Sequence, residues 1–370
     1  MRDFSKIKRV VIKVGTNLLS SSDGINKERV RDIANEIATL HNLGYQVILV
    51  SSGAIGLGAK ALKHTSPVVH IAMRQACAAI GQPILMSAYQ EEFSKHNLIS
   101  SQVLITRSVL SNRTSFKNLR SSVSTLLALG AIPIFNENDA VSTAEIGNVF
   151  GDNDRMSALV ASKIDADLLI LLTDIDGLYT GNPKKDKDAR IIKEIGKITS
   201  EIMSYAKGAG SQFATGGMKT KLYAAQIAQK GGCGTVIASG YEAHAITRIL
   251  RGEELGTYIY PEDRISQRER WILNTPAEGR IIVDEGAKKA LLEHHKSLLP
   301  SGIKHVEGVF ASGEVIEVST ENGPFMKAVP YFNSTDLSII QGHSSQDIEN
   351  LLGKGRKDVI FRPEDTAIIE

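Results

Sequence analysis

Several features that would mark broad classes of protein are missing from this sequence. There are two cysteines, Cys77 and Cys233, far apart along the chain. They form neither a disulfide framework nor a zinc cluster, and they suit a reducing compartment. The formal net charge is +2 over 370 residues, so no global field steers the chain to nucleic acid or to a membrane surface. No apolar run approaches the ~20 residues of a membrane span. The opening MRDFSKIKRVVIKVG breaks its apolar run at Lys13, unlike a signal peptide. A search for G-x-x-x-x-G-K-[ST] fails, which excludes a P-loop enzyme. The glycines of Gly53-Ala54-Ile55-Gly56-Leu57-Gly58 run G-x-x-G-x-G, not the dinucleotide order, and no acidic residue follows in the right context. There is no histidine-centred motif. His64, His70, His294 and His295 read as ordinary core or surface residues. The expectation is a soluble, cytoplasmic protein.

What is present is a globular composition, 42% hydrophobic and 23% charged, in a chain long enough for two domains. Strand patterns at Arg9–Val14, Gln46–Val50, Leu98–Thr106, Ile132–Phe135, Asp167–Leu172 and Thr235–Ala238 alternate with helical ones. Asn26–Leu43 and Asn112–Leu129 read as helices, stopped by Gly44 and Gly130. Val68–Lys95 reads as helices broken near Gly81-Gln82-Pro83. This alternation predicts an α/β fold, a mainly parallel sheet covered on both faces. The pattern changes after about Gly256. Arg264–Trp271 is charged and helical. From Glu278 come short strands, Arg280–Val283, Gly308–Phe310 and Glu314–Val318, with a helix at Glu285–Glu293. The predicted domains are 1–257 and a small β-rich one at 278–370, joined by a linker at 258–277.

The chemistry gathers at turns that follow strands. Thr215-Gly216-Gly217-Met218-Lys219-Thr220-Lys221 is a glycine-rich turn opening a helix, whose free N–H groups and positive dipole end make an anion site suited to phosphates. Lys13 sits where the first strand gives way to Gly15. Ser51-Ser52-Gly53 follows the second strand. Asn136-Glu137-Asn138-Asp139 and Gly151-Asp152-Asn153-Asp154 crowd acids and amides around one loop, where turn-shaping and helix-capping are the alternative to function. Thr173-Asp174-Ile175-Asp176-Gly177 follows the strand DLLILL. If Lys13, Lys221 and the glycine turns meet at one sheet edge, the site suits phosphoryl transfer, in which charge stabilisation and alignment carry most of the catalysis. The acids then orient lysines, hold Mg²⁺ or bind an ammonium. An acceptor bearing both a cation and an anion fits that mixture, as an amino acid would.

In order, KVGT, SSGAIG, FNENDAVSTAEI, GDND, LLTDIDGLYT and TGGMKTK resemble the glutamate 5-kinase branch of the amino-acid kinase family, with a C-terminal domain similar to the PUA module. The resemblance covers nearly the whole chain. It implies a three-layer α/β/α fold, and phosphorylation of the γ-carboxylate of L-glutamate by ATP with Mg²⁺, the first step of proline synthesis. It further implies that Lys13 and Lys221 contact the ATP phosphates, that Asp154 organises the lysines, and that Ser52, Asp139 and Asn153 bind glutamate. Thr173, Asp174 and the turn Thr215, Gly216, Gly217, Met218, Lys219, Thr220 and Lys221 would bind nucleotide. The metal ligands are left unassigned. Proline as feedback inhibitor, a homo-oligomer (dimer or tetramer) and glutamyl phosphate reductase as a partner are implied in the same way. Two departures stand out: Asn17 where the family commonly has serine or another small residue, and Ser211-Gln212-Phe213-Ala214 in place of a more glycine-rich run. Two alternatives remain, another kinase of this fold and an RNA-binding protein acting through the C-terminal domain. From Glu278 onward about ten Lys and Arg stand against about fifteen Asp and Glu, a balance that disfavours a phosphate backbone.

Overall fold

The computed structural model describes residues 1–21, 24–141, 153–183, 186–206, 217–263 and 266–369. The chain divides into two compact units, Met1–Arg264 and Ile265–Glu370. The stretch read as a linker divides between them: Thr257–Ile259 is a strand of the first unit, and Gln267–Asn274 is a helix of the second.

In the first unit the described residues form an eight-stranded sheet. Its strands are β1 (Arg9–Val14), β2 (Gln46–Val50), β3 (Ser100–Ile105), β4 (Ile132–Glu137), β5 (Leu168–Thr173), β6 (Glu194–Ile195), β7 (Gly234–Ser239) and β8 (Thr257–Ile259). Their order across the sheet is β3-β4-β2-β1-β5-β7-β8-β6. Every pairing is parallel except β7 with β8. The five helices that matter most for the site are α1 (Lys27–Asn42), α2 (Ala54–Ala61), α3 (Ile71–Ser94), α4 (Asn153–Lys163) and α5 (Met218–Lys230). One face of the sheet packs on α1 and α3 and the other on α4 and α5. The result is the predicted three-layer α/β/α arrangement.

β1 lies in the sheet interior, and its period of two assigns its residues to faces. Val10, Ile12 and Val14 join the core under α1 and α3, and Val11 joins the core under α4 and α5. Lys13 is therefore on the α4/α5 side, and it is not the edge lysine that a polar residue in an apolar run suggests.

The expected break near Pro83 is absent. α3 runs unbroken from Ile71 to Ser94 with Pro83 inside it. A proline in a helix interior costs about 3 kcal/mol through its missing donor and its ring. Burial of Leu85, Tyr89 and Phe93 on the same helix offsets that cost. Two glycines let α3 lie against α2. A Cβ at Gly81 would stand 1.8 Å from the Ala54 carbonyl oxygen, and one at Gly58 1.8 Å from that of Cys77. Pro133 lies in an interior strand, yet the β2–β4 ladder begins only at Ile134, so no bond to that neighbour is lost.

The second unit holds a five-stranded mixed sheet among its described residues. With β9 (Gly279–Val283), β10 (Ile303–Gly308), β11 (Ile316–Thr320), β12 (Gly323–Ala328) and β13 (Thr366–Ile368), the order is β10-β9-β11-β12-β13. The strand expected at Gly308–Phe310 instead ends at Gly308, whose φ of +84° turns the chain. The helix Gln267–Asn274 is capped at its start by Ser266. At its end Lys327 donates to the carbonyls of Leu273 at 3.0 Å and Thr275 at 2.7 Å, which satisfies terminal acceptors. Burial there lowers the Lys327 pKa.

Candidate active site

The parallel strands β1, β2, β4 and β5 all end at the same sheet edge, and each runs into one of the polar turns named above. Ligands in open α/β sheets bind outside such carboxyl ends.

Three buried charges meet there. Lys13 Nζ lies 2.6 Å from Asp154 Oδ1, and Lys221 Nζ lies 3.1 Å from Asp154 Oδ2. Exposure is 7% for Lys13, 1% for Asp154 and 4% for Lys221. The three come from β1, the first turn of α4 and the first turn of α5. A carboxylate in a helix's first turn is favoured by the dipole, whereas a lysine there is not. Lys221 thus occupies a locally unfavourable position that Asp154 compensates, a pattern typical of functional sites. Burial pushes the Asp154 carboxyl up, but Lys13 and then Lys221 outweigh it, so its pKa is lowered overall. It stays ionised at neutral pH. Two buried ammonium groups thus share this one carboxylate. Thr220 Oγ1 also reaches Asp154 Oδ2 at 3.2 Å and the Gly217 carbonyl at 2.8 Å.

A chain of amides adjoins this group. Asn153 Nδ2 lies 2.5 Å from Ser52 Oγ, 2.9 Å from the Ser51 carbonyl and 3.3 Å from Asn136 Oδ1. Asn136 in turn donates to Gln82 Oε1 at 2.8 Å. Ser51 Oγ pairs at 3.1 Å with the hydroxyl of Tyr89, whose complete burial raises its pKa. Ser52 and Asn153, expected together, are in contact. Asp139 lines a cavity of about 180 Å³ whose walls include Ala54, Ala78, Gln82 and Pro83.

On the other side of β1, Thr173 Oγ1 donates to Asp174 Oδ1 at 3.0 Å, and Asn17 Nδ2 donates to Asp174 Oδ2 at 3.4 Å. The departure at Asn17 therefore adds a partner to the Asp174 carboxylate. Met218 is buried as α5 starts, and Lys219 is exposed with its Nζ 5.7 Å from the Tyr223 ring centre. Thr215 and Gly216, Asp152, and the run Ser211–Ala214 lie outside the described residues.

Gln82 and Tyr89 were not among the expected site residues. Their only sequence signal is a polar side chain in a helix that is otherwise buried at the same positions. Asn136 belonged to a loop singled out for its amides, without a role.

The profile of the amino acid kinase family matches residues 8–239, and that of the PUA domain matches residues 279–352. The chain belongs to the amino acid kinase family. Among curated members it is 44% identical to the glutamate 5-kinase of Trichlorobacter lovleyi over 363 residues, covering 96% of each chain. It is 43% identical to the glutamate 5-kinase of Methanosarcina barkeri, covering 98% of this chain and 97% of that one. The glutamate 5-kinase of Haemophilus influenzae is 40% identical, with 98% and 99% covered. Family membership places the buried Lys13–Asp154–Lys221 group within the matched span, and the five-stranded sheet begins where the PUA match begins. No helix among the described residues is long and apolar enough to cross a membrane.

Proposed function

We propose that this protein phosphorylates the γ-carboxylate of L-glutamate with ATP, giving L-glutamyl 5-phosphate and ADP, the first step of proline synthesis. The observation that carries this reading is the buried Asp154 carboxylate shared by Lys13 and Lys221 at a strand-end edge. The near full-length similarity to glutamate 5-kinases selects the acceptor.

In this reading the γ-carboxylate oxygen attacks the γ-phosphorus, the bond to the β-phosphate oxygen breaks, and ADP leaves. The acceptor has a pKa near 4.3 and is ionised at neutral pH, so no general base is needed. The task left is to bring an anionic nucleophile to an anionic phosphate. Lys13 and Lys221 act as fixed positive groups in a low-dielectric pocket, where such groups stabilise developing charge without reorganising. Asp154 holds both ammonium groups in place. The start of α5 adds backbone N–H groups toward the phosphates, with Gly217, Met218, Lys219 and Thr220 in the nucleotide subsite together with Thr173 and Asp174. Ser52, Asn153 and Asp139 hold glutamate, with Asp139 facing the α-ammonium.

The groups present suit Mg²⁺ as a companion of the nucleotide. Among the described residues no three His, Cys, Asp or Glu side chains cluster into a cage. Mg²⁺ is ordinarily held by substrate phosphates, one or two carboxylates and water. Asp174, exposed at the end of β5, is the available carboxylate, since both oxygens of Asp154 face lysines. When bound, the ion would neutralise phosphate charge.

The same reading carries a cytoplasmic, homo-oligomeric enzyme inhibited by proline. The product is an acyl phosphate, easily hydrolysed, which favours hand-over to glutamyl phosphate reductase. The test is ADP release with ATP, Mg²⁺ and L-glutamate, with hydroxylamine to trap the acyl phosphate, repeated with proline and with N-acetylglutamate. Glutamate-dependent ADP and hydroxamate in equal amounts support the reading. Turnover of N-acetylglutamate alone would replace it with a different kinase of the same family.

A further inference from the structure

The amide of Gln82 has a fixed direction. The backbone N–H of Glu137 donates to Asn136 Oδ1 at 2.9 Å, which turns Asn136 Nδ2 toward Gln82 and makes Oε1 the end of Gln82 that receives it, at 2.8 Å. The other end, Nε2, is then a donor directed away from Asn136. It is buried and has no hydrogen-bond partner among the described residues, in a side chain only 8% exposed. Buried donors are nearly always satisfied, and an exception in a native site calls for a missing partner.

The surroundings say what that partner is. Gln82 lines the cavity of about 180 Å³ that Asp139 also lines. Its small neighbours Ala54, Ala78 and Ala79 leave room for a ligand there. Pro83, which supplies no N–H to the Ala79 carbonyl one turn back, lines the same cavity as Ala79. The walls therefore combine the Gln82 amide with the Asp139 carboxylate. A zwitterionic α-amino acid head group matches both.

We propose that Gln82 is a specificity-determining residue for the acceptor, with its Nε2–H donating to the α-carboxylate of the glutamate bound in this cavity. The inference rests on the reaction proposed above and assigns the end of the substrate remote from the transferred phosphoryl group. The close crossing at Gly58 and Gly81 sets the distance, because Gln82 follows Gly81 on the helix that those glycines let approach.

The test compares L-glutamate with L-isoglutamine, which keeps the γ-carboxylate but carries a neutral α-carboxamide. Both substrates are assayed with the wild-type enzyme, Gln82→Met and Gln82→Glu. Gln82→Glu keeps the acceptor for Asn136 and loses the donor, and Gln82→Met keeps the bulk alone. The expected result is a preference for glutamate in the wild type that falls about tenfold to a hundredfold in both variants, the range for one hydrogen bond to a charged group. The loss should lie in the glutamate KM, with kcat and the ATP KM within a few-fold. A displaced Asn153 or Ser52 would depress both substrates alike, so an unchanged preference in the folded variants overturns the proposal even if both KM values rise. A wild-type enzyme that releases no ADP with glutamate overturns the reaction itself and this proposal with it, a result distinct from unchanged variants of an active enzyme.

Discussion

Lys13 on the central strand and Asp154 at the start of a helix lie 2.6 Å apart, and both are buried. A lysine at this point costs desolvation, and a buried pair is often no more stable than an apolar one. Its retention is intelligible if the ammonium group is held for a ligand. The second lysine on the same carboxylate, Lys221, is buried as well and extends the argument.

Lys221→Ala should lower kcat by about a hundredfold or more, the scale for removing one preorganised group that stabilises transition-state charge. The glutamate KM should move only a few-fold, because that contact strengthens as charge develops. Steady-state kinetics in both substrates check this. Equal losses in kcat and in glutamate affinity would assign Lys221 to ground-state binding.

Asp139→Asn should raise the glutamate KM about tenfold or more with kcat largely kept, through loss of an ion pair to the α-ammonium. Asp139 lines the same cavity as Gln82, Ala78 and Ala79. A glutamate KM equal to that of the wild type would remove Asp139 from the acceptor subsite.

Gly81→Ala should destabilise the protein by about 2 kcal/mol or more, since the added methyl meets the Ala54 backbone 1.8 Å away and backbone cannot step aside cheaply. Urea unfolding gives the number. A midpoint shift too small to measure would mean that α2 and α3 separate freely.

Asp154 also predicts an acid limit. Its pKa is lowered in the folded protein. Its contribution to stability is therefore complete above the unfolded value, near pH 4, and is lost as pH falls through the lower folded value. Between pH 5 and 8 this group should leave stability flat. In Asp154→Asn the acid-side slope of stability against pH should be shallower. An identical slope would show that other carboxylates govern acid unfolding.

Much of the first unit was legible because its signals are local. β-branched runs bounded by glycine turns mark the strands, and Asn26 and Asn112 cap the helices they precede. Lys13 could be picked out because a charge in an apolar strand violates its pattern. What failed was decided by tertiary packing. Pro83 reads as a helix break, yet the apolar side chains of Leu85, Tyr89 and Phe93 hold the helix through it. Gln82 carries no motif, because its importance comes from Asn136, which reaches it from another strand-end turn. The strand at Ile303–Gly308 has charged and polar residues at Lys304, His305 and Glu307, so only its partner Gly279–Val283 reveals it.

The most direct measurement of the central claim, that one carboxylate holds two lysines for a transferring phosphoryl group, is kcat for Asp154→Asn. The variant should be shown folded by circular dichroism and assayed for glutamate-dependent ADP release at saturating ATP. The account predicts a fall of about a hundredfold or more, because Lys13 and Lys221 lose the anchor they share. A kcat within about threefold of the wild type would contradict it.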